Sequence, residues 1–420
     1  MYIKRAIEKS ILSISATFPV LLVTGPRQVG KTTMLKQLVM LTDNSRKYVT
    51  LDDPDIRRMA KSDPALFMQR FTPPVLIDEI QYAPEILPYV KMSVDSSGKK
   101  GDFWLTGSQA FHMMKNVSES LAGRVGIVNL LGLSSSEIDG IESEPFTTEP
   151  RRLMLRLQNA HKMGINEIYV RIFKGAFPAL YGDDAPDLSE FYRAYINTYL
   201  QRDIKDLSQV ADETSFHNFM IAVAARTARP IVYEEMAKDA GISSPTAKKW
   251  MSLLVSSGLV ALVQPYYNNV LKRATKMPLM HFLDTGLCAY LLKWGNSETL
   301  ERGAMSGAFF ESWVFSEIYK SYLNDGKEVP LFYYRDKEKR EIDLLIYENG
   351  TLYPIEVKKA ASPGVEAIKH FKVLNPVTEP ERFGEFEQYI TEIGTGAVVC
   401  MANDLLPVDN KNWFVPAWLI

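Results

Sequence analysis

The residues with the clearest chemical potential are two glycines, a lysine and a threonine at fixed spacing near the start of the chain. Together they follow the pattern G-x-x-x-x-G-K-[ST]. The glycines let backbone N–H groups wrap around phosphate oxygens, the lysine reaches the β- and γ-phosphates of a nucleotide, and the threonine hydroxyl can bind Mg²⁺. The pattern predicts a site for ATP and Mg²⁺; the alternative is a chance match in a glycine-containing turn. The predicted nucleotide contacts are Gly25, Pro26, Arg27, Gln28, Val29, Gly30, Lys31, Thr32 and Thr33.

Two adjacent acidic residues form the second element of the predicted site. Asp78 and Glu79 follow the apolar run at residues 74–77, which has the length of a buried strand. In P-loop ATPases an acid at this position supports Mg²⁺, and the acid after it polarises the attacking water. We therefore assign Asp78 to Mg²⁺, and Glu79 together with Lys31 to catalysis. The alternative is a strand that ends in a solvated acidic turn.

Two further residues are candidates for contacts with the terminal phosphate. Ser108 follows the apolar run at residues 103–105, where AAA-type ATPases carry a polar residue that senses the γ-phosphate, and Thr106 is the second choice. A simple strand-to-loop turn is the alternative for this segment. Arg124 lies in a loop before a predicted strand at residues 126–131, and it could stabilise charge on a phosphoryl group of its own or a neighbouring subunit. The alternative for Arg124 is a structural salt bridge.

A second group of acids lies in the last third of the chain. Glu311 is on a predicted helix, Asp343 is near the start of a predicted strand, and Glu356 and Lys358 lie two residues apart on the next strand, facing the same side. This is the D…E-x-K pattern of PD-(D/E)xK nucleases. The three carboxylates would bind a divalent metal ion, and Lys358 would act beside the metal without binding it. The alternatives are a hairpin with solvated acids and a nuclease-like fold that serves only as a binding scaffold.

The elements predicted around these residues explain how they could be positioned. The apolar run at residues 20–23 predicts a buried strand before the glycine loop, and residues 33–39 predict a helix after it. The loop would therefore lie at a helix N-terminus, where backbone N–H groups and the helix dipole favour anions. In the second group, the turn at residues 348–350 predicts a hairpin between the two strands.

The middle of the chain predicts helices followed by a winged helix-turn-helix. Residues 150–215 show helical periodicity, and helices are predicted at 216–228, 231–240 and 246–257, the third with Lys248 and Lys249 near its start. Strands at 259–264 and 270–276 would form the wing. From Arg229 to Lys276, seven basic and three acidic residues give a local charge of +4, which suits phosphate contacts on duplex DNA. A protein-interaction or structural winged helix is the alternative.

Length, composition and charge limit the class of protein. The chain has 420 residues, of which 46% are hydrophobic and 23% charged, and a formal charge of −2, which excludes a disordered chain and a wholly basic nucleic-acid coat protein. Two cysteines are too few for a disulfide framework. No apolar run reaches the ~20 residues of a membrane span, so we expect a cytoplasmic protein. We predict an α/β fold: a P-loop ATPase domain with a parallel sheet at 1–140, a helical linker at 141–215, the winged helix-turn-helix at 216–300 and an α/β restriction-nuclease-like domain at 301–420.

The layout resembles the prokaryotic AAA-type ATPases whose C-terminal region combines a winged helix with a PD-(D/E)xK-like domain. The segments that carry this resemblance are GPRQVGKT at 25–32, VLIDEIQ at 75–81, LTGSQ at 105–109, SLAGRV at 120–125, EIDLLI at 341–346 and PIEVKK at 354–359. The resemblance implies an ATP-binding core. We therefore expect an ATPase that acts on or with duplex DNA and that can form homo-oligomers. The alternatives are an ATP-regulated, metal-dependent DNA endonuclease and a non-enzymatic, nucleotide-dependent switch that binds a protein.

Overall fold

The computed structural model describes residues 2–42, 45–107, 120–199, 213–266, 277–374 and 392–420. Two features predicted from the sequence lie outside these residues. One is Ser108, the first candidate for sensing the γ-phosphate. The other is the second wing strand at residues 270–276.

A parallel sheet of five strands forms the centre of the N-terminal third. The strand order is β2-β3-β4-β1-β5. Strands β1, β3 and β4 are buried at every residue, as is usual for parallel strands with helices on both faces. The carboxyl ends of these strands share one edge of the sheet, and the residues that follow β1, β3 and β4 are therefore brought together. The bounds are β1 (Val20–Thr24), β2 (Lys47–Thr50), β3 (Val75–Asp78), β4 (Phe103–Thr106) and β5 (Val125–Asn129).

The helices of this region begin at clear sequence signals. The helix after the glycine loop starts at Lys31. Asp53 caps the next helix by accepting hydrogen bonds from the backbone N–H groups of Asp55 and Ile56, and Ser134 forms a reciprocal capping box with Glu137. The bounds are α1 (Glu8–Thr17), α2 (Lys31–Thr42), α3 (Pro54–Ser62), α4 (Pro64–Arg70), α5 (Leu87–Ser97) and α6 (Ser135–Ile138).

The middle of the chain is mainly helical. The helices predicted at 216–228, 231–240 and 246–257 correspond to α10, α11 and α12 of the structure. Ser243 caps α12 by accepting a hydrogen bond from the Thr246 N–H. The bounds are α7 (Pro150–Arg156), α8 (Ile165–Lys174), α9 (Leu188–Tyr199), α10 (Glu213–Ala224), α11 (Tyr233–Ala240), α12 (Ser244–Ser256), α13 (Thr285–Leu291), α14 (Ser297–Arg302) and α15 (Ser306–Asn324).

A second, mixed sheet of ten strands extends from the helix-turn-helix region to the C-terminus. Its main path is β14-β15-β13-β11-β10-β9-β7-β8-β6, and β12 pairs with β11. The predicted hairpin is present, since Glu348 pairs with Thr351 across the turn between β10 and β11. The bounds are β6 (Arg229–Pro230), β7 (Val260–Pro265), β8 (Leu279–Phe282), β9 (Leu331–Arg335), β10 (Glu341–Glu348), β11 (Thr351–Lys358), β12 (Glu392–Ile393), β13 (Gly396–Cys400), β14 (Leu406–Pro407) and β15 (Asn412–Pro416).

This sheet crosses the domain boundary that the sequence places near residue 300. Strand β7 pairs antiparallel with β8 on one side and parallel with β9 on the other, with Gln264 opposite Phe332. The predicted helix-turn-helix region and the C-terminal region therefore share one hydrogen-bonded sheet. Pairing between strands distant in sequence leaves no local signal, so the sequence could not show this connection.

One hydrophobic core connects all four predicted regions. It includes Leu21 of β1, Tyr195 of α9, Trp250 of α12, Trp313 of α15 and Val399 of β13. The regions consequently pack as one body of shared apolar side chains. Among the described helices, none combines the length and the apolar character needed to cross a lipid bilayer.

Candidate nucleotide site and second carboxylate cluster

The glycine loop occupies residues 25–30, between the end of β1 and the start of α2. Gly25 has φ +136°, and a Cβ there would lie 2.0 Å from the Leu130 carbonyl oxygen. Gly30 has φ +89°. Side chains are disfavoured at both positions, so the two glycines are required by the backbone path of the loop. Gln28 is exposed at the tip of the loop, whereas Pro26 and Val29 are buried beneath it.

Lys31 lies at the first position of α2 and is only 6% exposed. Its Nζ donates to the carbonyl oxygens of Gly25 at 3.0 Å and Pro26 at 2.7 Å. The ammonium group is therefore held within the curve of the loop. A phosphate bound on the loop would place oxygen acceptors near this ammonium, in the water-poor surroundings where charge-assisted hydrogen bonds are strong.

Thr32 and Asp78 are joined directly, although 46 residues separate them in sequence. The Thr32 hydroxyl donates to Asp78 Oδ1 at 2.7 Å. The Thr106 hydroxyl donates to the same oxygen, and the Tyr48 hydroxyl donates to Asp78 Oδ2 at 3.1 Å. A hydroxyl and a carboxylate in contact at the carboxyl edge of the sheet suit Mg²⁺, which is commonly bound through one or two protein oxygens plus phosphates and water. The residues present therefore fit the ion that the loop motif implies.

Glu79 lies immediately after β3, in a left-handed backbone conformation with φ +58°. Its backbone N–H donates to the Thr106 hydroxyl at 3.2 Å, and Gln81 donates to its carboxylate. Burial raises the pKa of Glu79, while the nearby charge of Lys31 opposes the rise. A carboxylate with a raised pKa beside the phosphate loop has the properties of a general base.

The structure brings together four of the residues that the sequence predicts for this site. Lys31, Thr32, Asp78 and Glu79 converge at one edge of the sheet, and Arg27 is close enough to influence the Glu79 charge. Thr33 is exposed on the first turn of α2. Thr106, the second choice for sensing phosphate, lies on the strand between the loop and the two acids. Tyr48 was missed because only its strand pairing, and no local motif, directs its hydroxyl to Asp78.

Arg124 lies at the opposite end of the sheet from the glycine loop. Its backbone carbonyl accepts a hydrogen bond from the N–H of Val20, the first residue of β1. The loop begins after Thr24, and five residues of strand span about 16 Å. Arg124 pairs instead with Asp95 of α5, with Nη2 3.1 Å from Oδ2. This position is far from the phosphates of its own chain, because a residue that precedes a parallel strand lies at the edge away from the site. The salt bridge matches the alternative stated for Arg124, and a role at a neighbouring subunit's phosphates stays a prediction.

The second group of predicted residues also converges. Glu311 on α15, Asp343 on β10 and Glu356 on β11 interact electrostatically with one another and with Lys358. The Lys358 ammonium lies 2.6 Å from Glu356 Oε1, and Glu356 Oε2 is buried with no hydrogen-bond partner. The hairpin and the helix therefore assemble three acids and one lysine at a single place.

Pairing between β10 and β11 brings Asp343 next to the strand that carries the other two charged residues. On its other side, the register between β9 and β10 shifts between Ile342 and Leu345. The Asp343 carboxylate accepts a hydrogen bond from the Val357 N–H at 2.7 Å. This contact fixes the carboxylate next to the strand that carries Glu356 and Lys358.

Burial and mutual repulsion make the carboxyl groups of this cluster difficult to ionise. Burial, followed by the charge of Asp343, raises the pKa of Glu311 well above its usual range. Burial and the charge of Glu356 raise the pKa of Asp343 to about 7. Burial lowers the pKa of Lys358, but the surrounding carboxylates outweigh that effect and raise it. Such perturbed groups are frequent at functional sites.

The cluster does not form a metal site in the arrangement observed. In the part of the chain that the structure describes, no group of three or more His, Cys, Asp or Glu side chains could hold a metal ion. Binding by Glu311, Asp343 and Glu356 together would require their carboxylates to move. Their assignment as metal ligands therefore stays a prediction.

The predicted helix-turn-helix region exposes two lysines and buries its tryptophan. Lys248 and Lys249 on the first turns of α12 are exposed. Trp250 is 5% exposed and packs on Phe216 of α10, with ring centroids 5.0 Å apart. The residue after this helix region, Gly258, lies against the glycine loop, since a Cβ there would be 3.0 Å from two ring carbons of Pro26. The end of the predicted helix-turn-helix therefore lies against the predicted phosphate loop.

Comparison with known families divides the chain into three matched segments. Residues 17–139 match a family model described as an AAA domain. Residues 165–298 and 306–420 match two models described as domains of unknown function, DUF8612 and DUF4143. The AAA match covers the glycine loop and both acids of the first site, and it therefore supports a P-loop nucleotide-binding domain in the N-terminal third.

Relatives and solved structures give further similarities. Uncharacterized proteins of Mycobacterium tuberculosis and Mycobacterium bovis are each 27% identical over 347 residues, which is 83% of this chain and 72% of the relative. A Walker-type ATPase of Pyrococcus abyssi is 14% identical with a TM-score of 0.41, over 68% of this chain and 94% of that one. The RuvB Holliday junction branch migration motor of Thermotoga maritima is 17% identical with a TM-score of 0.30, over 62% of this chain and 89% of that one. Neither structural similarity bears on what this chain binds.

Proposed function

We propose that the protein is an Mg²⁺-dependent ATPase that acts on duplex DNA. The observation that carries the first half of the proposal is the contact between the Thr32 hydroxyl and Asp78, beside Glu79 and the loop-bound Lys31. This arrangement provides a phosphate cradle, a metal-binding pair and a base within one edge of the sheet. A bound magnesium ion would supply neutralising charge to the phosphates.

Each residue of the site has a distinct part in this proposal. The loop N–H groups and Lys31 bind the phosphates, and Thr32 and Asp78 hold the ion. Glu79 accepts a proton from the attacking water, for which its raised pKa is suited. Phosphate release from ATP by the purified chain, with Mg²⁺ and with excess EDTA, tests the proposal. Turnover in Mg²⁺ that stops in EDTA is expected, and absence of turnover in both, with and without DNA, would contradict it.

A change in the loop during hydrolysis could be transmitted to the proposed DNA-binding elements through the contact between Pro26 and Gly258. Pro26 belongs to the loop that would change partners when phosphates bind, and Gly258 directly follows the helix-turn-helix. We infer that α10, α11 and α12, with β7 and β8, form a winged helix. Its α12 would enter the major groove, as the second helix of helix-turn-helix proteins does.

Exposed lysines on α12 allow a direct test of DNA binding. Replacing Lys248 and Lys249 together by alanine should weaken binding to duplex DNA and reduce the slope of log affinity against log salt by about 2, because about one counterion is released per phosphate contact. Gel shifts at several salt concentrations measure both quantities. Replacing Lys99 and Lys100, two adjacent lysines exposed at the far edge of the AAA-type domain, is the matched control. Absence of binding by the parent chain at low salt would favour a protein partner instead.

A second candidate function, metal-dependent cleavage of DNA, is favoured by the convergence of Glu311, Asp343, Glu356 and Lys358. The buried Glu356 oxygen without a hydrogen-bond partner is the specific observation, since such an oxygen is costly unless a ligand can reach it. In this reading, metal binding draws the three carboxylates together.

Supercoiled plasmid with Mg²⁺ or Mn²⁺ tests this second function. Nicking by the parent chain should fall at least about tenfold in Asp343→Ala and in Lys358→Ala, since either change removes a charged group from the centre of the cluster. Glu366→Ala and Lys369→Ala remove exposed charges of the same types nearby and should cleave like the parent. Intact plasmid with the parent chain in both metals would exclude the nuclease.

A further inference from the structure

Arg5 is a buried arginine outside the segment matched by the AAA model, which begins at residue 17. It is 3% exposed. Its Nη1 donates to the carbonyl oxygen of Val29 at 2.9 Å, and its Nη2 donates to that of Leu131 at 2.8 Å. The guanidinium thus joins the glycine loop to the segment that follows β5. An arginine suits this position because its planar fork directs several N–H donors at once.

The contact with Val29 has a direct consequence for the phosphate loop. In a planar trans peptide the C=O and the following N–H point in opposite directions. Because Arg5 holds the Val29 carbonyl, the N–H of Gly30 points away from Arg5. Gly30 and Lys31 are the two residues at which the loop becomes a helix, where N–H groups bind anions. The orientation of one phosphate donor is therefore set by a residue from the N-terminal segment.

Glu137 holds the Arg5 guanidinium in place. Glu137 Oε1 lies 3.0 Å from Arg5 Nε and also accepts the N–H of Ala6 at 2.8 Å. The other oxygen, Oε2, accepts the Ser134 N–H at 2.8 Å in the capping box of α6. The guanidinium is therefore held through Nε as well as through both Nη atoms, which is what a residue that orients a loop requires.

We propose that Arg5 is a positioning residue of the nucleotide site, which sets the shape of the phosphate loop without touching the nucleotide. This inference rests on the proposed nucleotide site. A purely structural role, in which Arg5 only ties down the N-terminal segment, would change the stability of the protein but leave the affinity of the folded loop for phosphates intact.

The two roles are separated by measuring nucleotide affinity and thermal unfolding in the same variants. Arg5→Lys keeps the charge but loses the fork, so it cannot hold Val29 and Leu131 together. We expect the Kd for ADP with Mg²⁺ to rise about tenfold by calorimetry. Arg156→Lys is the matched control, because the Arg156 guanidinium also donates to backbone carbonyls, those of Glu144 at 2.6 Å and Pro145 at 2.7 Å, in contacts remote from the loop. It should lower the unfolding temperature and leave the Kd unchanged.

The possible outcomes each decide the question. A lowered unfolding temperature with a Kd within twofold of the parent would overturn the positioning role. If Arg5→Lys does not fold, Glu137→Gln replaces it, since glutamine keeps an oxygen acceptor but loses the charge that holds Arg5. It should raise the Kd about threefold, and an unchanged Kd would overturn the inference. A parent chain that binds no ADP would instead refute the proposed nucleotide site.

Discussion

Replacing Lys31 by alanine should abolish measurable binding of ATP. The Lys31 ammonium is buried in the curve of the loop and points at the carbonyls of Gly25 and Pro26. Charged oxygens of a bound phosphate would accept hydrogen bonds from this ammonium in place of the two carbonyls or in addition to them. Without the ammonium, the phosphate charge would lose its nearest buried counter-charge, which costs about 3–5 kcal/mol and weakens binding by at least about 100-fold.

Isothermal titration with ATP in the presence of Mg²⁺ measures this effect. Lys61→Ala, at an exposed lysine in the last turn of α3, controls for the loss of one positive charge and should bind like the parent. Thermal unfolding without nucleotide shows whether the Lys31 variant still folds. Tight binding by a folded Lys31→Ala chain would refute the assignment of the site.

Replacing Glu79 by glutamine should remove hydrolysis while preserving nucleotide binding. Glutamine has nearly the same shape and can still accept the hydrogen bond that Gln81 donates. It cannot take a proton from water, and loss of a general base lowers kcat by about 10²–10⁴-fold. A large fall in kcat with an unchanged affinity for nucleotide therefore identifies a general base. A residue that only shapes the loop would change the affinity as well.

The pH dependence of turnover should agree with this role. Because burial raises the pKa of Glu79, the carboxylate form needed for catalysis is lost as pH falls through a value above that of an exposed glutamate. The acid limb of the kcat profile should consequently lie at higher pH than the ordinary carboxylate range. Glu85→Gln, at an exposed glutamate six residues further on, should retain both the rate and the profile. More than a tenth of parental turnover in Glu79→Gln would argue against Glu79 as the base.

Much of the N-terminal third could be predicted because its signals are local. A strand, a glycine loop and a helix follow one another without interruption from Val20 to Thr42, so the loop motif contains its own structural context. Asp78 and Glu79 could be predicted for the same reason, because they directly follow a short apolar run. In a parallel sheet, chain order is enough to place all strand ends at one edge.

The contacts that join the predicted domains are non-local, so the sequence could not show them. The parallel pairing of β7 with β9 joins residues about seventy positions apart, and one core spans all the predicted regions. The location of Arg124 could not be predicted for a different reason. Its position before β5 implied the far edge of the sheet, but that inference requires knowing that β5 runs parallel to β1.

The sequence by itself determined the phosphate loop, the order of the elements and the residue types of both candidate sites, because contiguous motifs and periodicity act over a few residues. Only the tertiary structure decided which distant groups meet. It paired Thr32 with Asp78, added Tyr48 and Arg5 to the surroundings of the loop, moved Arg124 to a salt bridge and gathered Glu311 with Asp343 and Glu356. The physical reason is that hydrogen bonds and charges act over a few ångströms in space, and chain folding brings together residues that the sequence separates by tens or hundreds of positions.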